Sequence, residues 1–488
     1  MKKTLLFFMT FVILSAFCAV SVFATTTNGF EVEENGDTLT YIYDVENLFG
    51  AKAVAKIGDT EYKTLQEAID AAENGETITL ISDSTLTTLL TVASGKSIII
   101  DLNGHTVSAS VEADKASALI TNNGTLTIND SSAEGTGKLT YYSSKVSTGY
   151  STSTIINHGV LTVNGGTIEN TSPRGGAPYA IDSYNTLTVN GGTITAVSIA
   201  IRQPNFGNQE NSLTVTGGTI TGGYAGIQIH GFTSSKKTTT IISGGEITGT
   251  YAFYSSFYTA KDSAVTDIDI TNGTFNGYVF LYNGNAGSDE YGLDASITGG
   301  TYNGEVYVYT KDADGAEVSI PAVSGGVHMY DVSAYCAKGF ACTLNEDGTY
   351  GVVLSLEKAF TFLGYSVNET DWNSITAGYT IDHEVINLYC EEKGIESFDF
   401  GCAFGIGSIN EDKTTSFAAY SDYELFNVKI SGINPENEKH TSAQLVMALY
   451  IDLGEGKRYV TLIENEIAIV AANEVPYVVF KDFMNVAE

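Results

Sequence analysis

Five residues share a spacing that could do chemistry on an exposed surface: Asp182, Arg202, Gln228, His230 and Tyr254. Each lies in a short apolar run: Tyr179-Ala-Ile-Asp182, Ile199-Ala-Ile-Arg202, Ala225-Gly-Ile-Gln228-Ile-His230 or Tyr251-Ala-Phe-Tyr254. If these runs are strands with Ile181, Ile201, Ile227, Phe253 and Phe280 inward, alternation turns the five outward. Phe206 and Tyr258 sit in the inserts that follow, where aromatic rings can stack on sugars. Two readings are open. One is a carbohydrate-binding groove. The other is an ordinary polar sheet face with Asp182 and Arg202 paired, a surface contact worth about 0–1 kcal/mol.

A second candidate is acidic. Asp267 and Asp294 occupy equivalent repeat positions, so two carboxylates face out on neighbouring coils. Such a pair can bind calcium or act as acid and base. No third carboxylate joins them in the aligned positions, and a solvated surface pair is the plainer reading. The remaining histidines, His105, His158, His328, His383 and His440, show no ligand spacing. Phosphate-loop, metalloprotease and nucleophile-elbow motifs are absent. The pattern therefore calls for no metal and no cofactor.

The elements that must carry these residues come from a repeat. Leu161-Thr-Val-Asn-Gly-Gly-Thr-Ile168 recurs at 187–194 and, with Thr for Asn, at 213–220. The turn positions 165, 191, 217, 244, 272, 299 and 325 are spaced by 26, 26, 27, 28, 27 and 26. Apolar residues alternate within each copy, which marks strands rather than helices. About 26 residues suit three short strands and their turns, whereas a propeller blade needs roughly 40 or more. Stacked coils align Val163, Val189, Val215, Ile242, Ile270, Ile297 and Val323 as one inward row. Ile168, Ile194, Ile220, Ile247, Phe275 and Tyr302 form a second row, and His328 marks the end of the interior. The Asn, Ser or Thr before each Gly-Gly pair forms a structural ladder at the turn.

These Asn/Thr-Gly-Gly-Thr-Ile coils resemble secreted proteins of the pectate-lyase-like superfamily. The segment Ile57 to Ala72 resembles the entry to such proteins in anaerobic Firmicutes. The resemblance covers roughly residues 55 to 354. It implies an all-β chain built on a right-handed parallel β-helix. It implies no single activity, because the superfamily holds lyases, hydrolases and adhesins.

The ends need caps, since an open solenoid exposes strand edges. Thr64 and Glu67 make a capping box for a helix over 64–74, with Gly75 as its stop. Residues 342–354 read as a hairpin around Glu346-Asp347-Gly348 that closes the last coil. Residues 355–488 lose the Gly-Gly phrase and read as a smaller β-rich, sandwich-like domain. Its strand-like runs are 359–367, 443–453 and 458–472, and its helix is His383–Lys393 with Asp382 as N-cap. Trp372 is either a surface sugar platform or part of this core. Residues 25–50 are an acidic linker or short strand.

Lys2, Lys3, the apolar run after them and Val22-Phe23-Ala24 read as an export signal over 1–24. After cleavage no stable membrane insertion is expected. Four cysteines remain, and the pairings Cys336–Cys342 and Cys390–Cys402 stand beside free thiols as alternatives. The formal net charge of −33 repels nucleic acid and anionic membranes. These features predict an exported or cell-surface interaction protein that binds a glycan or surface partner along one β-helix face. A polysaccharide lyase or glycoside hydrolase in the same groove, and a structural spacer, are the alternatives.

Overall fold

The computed structural model describes residues 30–35, 38–43, 52–111, 117–144, 151–173, 178–205, 210–231, 237–257, 266–283, 293–312, 314–367, 374–417, 424–432, 434, 437–441, 443–476 and 478–479. The expected export signal, Trp372, Phe206 and Tyr258 lie outside them. In the acidic N-terminal segment, Phe30–Asn35 and Thr38–Tyr43 pair as an antiparallel hairpin.

The repeat builds a parallel β-solenoid with three faces. On the first face Val160–Val163, Thr186–Val189 and Asn211–Val215 pair in register, and later coils continue the stack. On the second, Thr167–Asn170, Thr193–Ala196 and Thr219–Gly222 do the same. On the third, Pro178–Ser183, Ile199–Asn205 and Ala225–Gly231 stack. Both predicted apolar rows point inward and are buried throughout. Each fully buried Val or Ile contributes about 1.5–3 kcal/mol, so these rows stabilise the stack.

The Gly-Gly pairs are needed for two physical reasons. Gly192 has φ +81°, a left-handed angle that side chains disfavour. A Cβ on Gly191 would also meet the Asn164 carbonyl at 2.8 Å, on the coil before. The asparagines form the expected ladder: Asn190 Nδ2 donates to Asn164 Oδ1 at 2.8 Å, and Asn164 Nδ2 to Asn129 Oδ1 at 2.8 Å. A further ladder runs inside the solenoid. Asn122 Nδ2 donates to Asn157 Oδ1 at 2.8 Å, and Asn157 Nδ2 to Ser183 Oγ at 3.0 Å. All three residues are buried, so this ladder satisfies polar groups at the corner between the third and first faces.

Helix α1, Leu65–Ala71, covers the first coil with Leu65, Ala68 and Ile69. Its capping box is formed: Glu67 N donates to Thr64 Oγ1, and Thr64 N to Glu67 Oε2. It stops earlier than the spacing predicts, because Ala72 leaves helical angles with ψ 134°. Gly75 belongs instead to the following turn. At the far end, Phe340–Leu344 and Tyr350–Leu354 form the expected hairpin, which also pairs antiparallel with Val327–His328. His328 extends the second row as the last ring of a core stack. Its ring centroid lies 4.5 Å from that of Tyr302, which lies 4.9 Å from that of Phe275, and the three stacked rings are nearly parallel.

The C-terminal region holds two antiparallel sheets. Phe360–Val367, Ser374–Ile381 and Leu425–Ser431 make the smaller one. The larger is centred on Asp399–Ile406 and Gln444–Asp452. Tyr379 and Phe426 of the first share one core with Phe400, Leu449 and Ile451 of the second, so the sheets pack face to face. Helix α2, His383–Lys393, has the expected Asp382 cap and ends at Gly394 with φ 66°. The run over 458–472 is not one strand. It folds into Lys457–Ile463 and Glu466–Val470, turning at Glu464-Asn465 with positive φ at both. The four cysteines among the described residues, Cys336, Cys342, Cys390 and Cys402, are free thiols, so neither conceivable disulfide is formed.

Removing Ile220 side-chain volume with Ile220→Ala is expected to cost about 2–5 kcal/mol in urea denaturation. A loss below about 0.5 kcal/mol would mean the row is not core. His328 generates a pH dependence. Burial, opposed in part by its hydrogen bond to Gly325, holds its imidazole below the ordinary 6.5. The unfolded chain then binds the proton more readily, so this contribution is present above pH 6.5 and lost as the pH falls. His328→Phe is expected to flatten the fall in Tm between pH 7 and 5. An unchanged slope would assign it to other groups.

Candidate functional site

The third face carries the site. Its rungs pair in register, which aligns Asp182, Arg202, Gln228, Tyr254, Phe280 and Tyr307 as one outward column. Two residues further along each strand, Pro204, His230, Ser256, Tyr282 and Tyr309 form a parallel column. All five described candidates thus come together on one face, as their spacing predicts.

Phe280 is a correction. Matching Tyr278 to Tyr251 would turn it inward, but one residue fewer follows the paired tyrosine on this coil, so Phe253 pairs with Val279 and Tyr254 with Phe280. The corner over 276–279 is two residues shorter than its counterpart over 248–253. Gly277 makes this possible: a Cβ there would meet the Gly249 carbonyl at 2.0 Å. Val279 and Leu281 are buried, and Phe280 joins the outer surface.

The polar end of the column is more enclosed than a surface pair. Asp182 is only 1% exposed, and the Arg202 side chain 14%. The contact is bidentate: Arg202 Nε donates to Asp182 Oδ1 at 2.8 Å, and Nη2 to Oδ2 at 2.6 Å. Tyr184 Oη donates to Asp182 Oδ2 at 3.0 Å. Arg202 also lies over the Tyr179 ring, 4.3 Å from its centroid. Burial works to lower the guanidinium value, but the Asp182 hydrogen bonds and charge outweigh it and hold Arg202 charged. Burial, with the Asp182 charge, pushes the Tyr184 phenol up to about 12. Asp182 is therefore enclosed by partners and does not project as a free acid or base.

His230 Nδ1 lies 3.3 Å from Ser256 Oγ. Burial, and then the Arg202 charge, lower the imidazole value and favour the neutral ring. Gln228 separates this polar end from a network of aromatic rings. Tyr254 stacks on Phe280 at 5.4 Å with 17° between planes. Tyr251 lies 4.9 Å from Tyr254, and Tyr282 lies 4.8 Å from Tyr309. Phe280 also meets Tyr307 and Tyr309 at 6.2 and 5.4 Å. Tyr278 is 42% exposed at the edge of this surface. Tyr282, Tyr307 and Tyr309 were missed by sequence reasoning. The signal for the last two was the alternation Val306-Tyr-Val-Tyr309, which continues the column on the coil after Tyr278–Tyr282.

The acidic candidate resolves differently. Asp267 and Asp294 are register partners, as their spacing predicts. Asp267 forms an ion pair with Lys237 on the preceding coil. Among the described residues no group of three or more His, Cys, Asp or Glu is arranged to hold a metal ion.

No family model matches the chain, and neither the curated proteins nor the solved structures give a match.

Removing either partner of the enclosed pair leaves the other charge buried. Arg202→Ala and Asp182→Ala are each expected to cost about 3–5 kcal/mol in urea denaturation. The double variant Asp182→Leu/Arg202→Met is expected to regain most of that loss. Single-variant effects within about 0.5 kcal/mol would make the pair an ordinary surface contact.

Proposed function

We propose that the chain is an exported interaction protein that binds carbohydrate along the third face of its solenoid. The observation that carries this reading is the column of half-exposed rings from Tyr254 through Phe280 to Tyr307. Flat apolar faces at regular intervals suit the C–H faces of successive pyranose rings. Tyrosine adds hydroxyls that can hydrogen-bond sugar hydroxyls at the rim. The polar end, with Gln228 and His230, supplies further donors and acceptors on the same surface.

Binding is favoured over glycosidic cleavage by the state of Asp182. A hydrolase needs two carboxylates flanking the scissile bond. The carboxylate of this column is taken up by Arg202 and Tyr184. A spacer would have no use for a column of half-exposed rings. The likeness of the Gly-Gly coils to pectate-lyase-like proteins, and export to the cell surface or beyond, belong to this same reading.

The test is a glycan array read with wild-type, Tyr254→Ala and Phe280→Ala proteins, each checked for an unchanged unfolding transition. Each substitution is expected to weaken binding at least about tenfold, the equivalent of ~1.4 kcal/mol. Unchanged binding in both variants would remove the site. Release of reducing ends or unsaturated uronides would replace binding with catalysis.

A further inference from the structure

We propose that the ligand of the third face is a linear amino-sugar polysaccharide with free ammonium groups, lying along the solenoid axis. This rests on the carbohydrate-binding reading and adds charge and direction to it.

Direction follows from the rungs. The ring-bearing positions are on successive coils, so the column runs across the strands and along the axis. Coils rise by roughly 4.8 Å, close to the length of one pyranose residue. From Asp182 to Tyr307 the column crosses five such intervals, roughly 24 Å. An extended sugar chain on that line meets a new side chain at nearly every residue.

Charge follows from three observations. First, the faces of aromatic rings carry negative potential and attract cations, most strongly where water is partly excluded. Second, the fixed charges on the face offer little to an anion. Arg202 is neutralised by Asp182 in a bidentate contact. His230 is held toward its neutral form by burial and by Arg202. Lys311 lies 6.0 Å from the Tyr282 ring, but its register partner on the next strand is Glu317. Among the described residues, a further fixed charge on the face is the carboxylate of Glu305, which accepts a hydrogen bond from Tyr307 at the end of the column. Third, the chain as a whole carries −33, which concentrates cations around it and repels polyanions. A neutral sugar would use only the ring faces. A uronic-acid chain would meet repulsion. An amino-sugar chain uses the rings, Glu305 and the overall field together.

The test is calorimetry with the full exported chain and four probes at low and moderate salt. The probes are a glucosamine hexamer, its fully N-acetylated form, an oligogalacturonate of the same length and hexalysine. The glucosamine hexamer is expected to bind at least about tenfold more tightly than the N-acetylated form, with the gap shrinking as salt screens it. Glu305→Gln is expected to narrow that gap by weakening binding of the glucosamine hexamer more than that of the N-acetylated form. Tyr254→Ala is expected to weaken both sugars. Equal or tighter binding of the N-acetylated hexamer, or of the oligogalacturonate, would overturn the charge assignment while leaving the carbohydrate-binding site intact. Hexalysine binding as tightly as the glucosamine hexamer would overturn the sugar assignment, since charge alone would then explain it. Absence of binding to all three sugars would overturn both this inference and the reading beneath it.

Discussion

Parallel backbone hydrogen bonding between successive coils is the constraint on which the rest of the structure depends. Each rung satisfies its amide and carbonyl groups on the rungs before and after it, so side chains fall into columns rather than scattered positions. Inward columns become the core. Outward columns become surfaces of repeating chemistry. The site is one such surface, and its character is set by which residue each coil contributes to a shared position.

That constraint also explains why the column changes along its length. At the early coils the third face carries a buried guanidinium–carboxylate contact roofed by Tyr179 and Tyr184. At the later coils it carries rings packed edge to face and face to face. Both are compatible with the same backbone, because the outward position does not take part in core packing. The ion pair orients one end of the face, and the rings supply its apolar area.

Much of the architecture was legible in the amino-acid sequence because the repeat is written in residues that physics constrains tightly. Gly191 and Gly192 admit no Cβ, and Val189 and Val215 have no other place to be buried. Helix α2 was legible for similar reasons, through the Asp382 cap and the left-handed Gly394. The candidate site was legible only in part. Asp182, Arg202, Gln228, His230 and Tyr254 do share a face, since alternation reports direction well. Alternation does not report depth, so the closure of tyrosines over Asp182 was not visible. Nor does it report corner length. One residue fewer between Tyr278 and Val279 than between Tyr251 and Phe253 shifts the alternation, and Phe280 moves from core to surface. The internal ladder of Asn122, Asn157 and Ser183 was hidden because its residues also read as ordinary turn formers.

The register at this shifted rung is the point where the account is most exposed, because the aromatic column exists only if Tyr254 and Phe280 are neighbours. Paired cysteine substitutions test it directly. Adjacent parallel strands hold partner Cα atoms roughly 4.8 Å apart, within the span of a disulfide. Under mild oxidation followed by peptide mapping, Tyr254→Cys with Phe280→Cys is predicted to cross-link, and Tyr254→Cys with Val279→Cys to remain reduced. Cross-linking of the second pair in preference to the first would put Phe280 back in the interior and contradict the account.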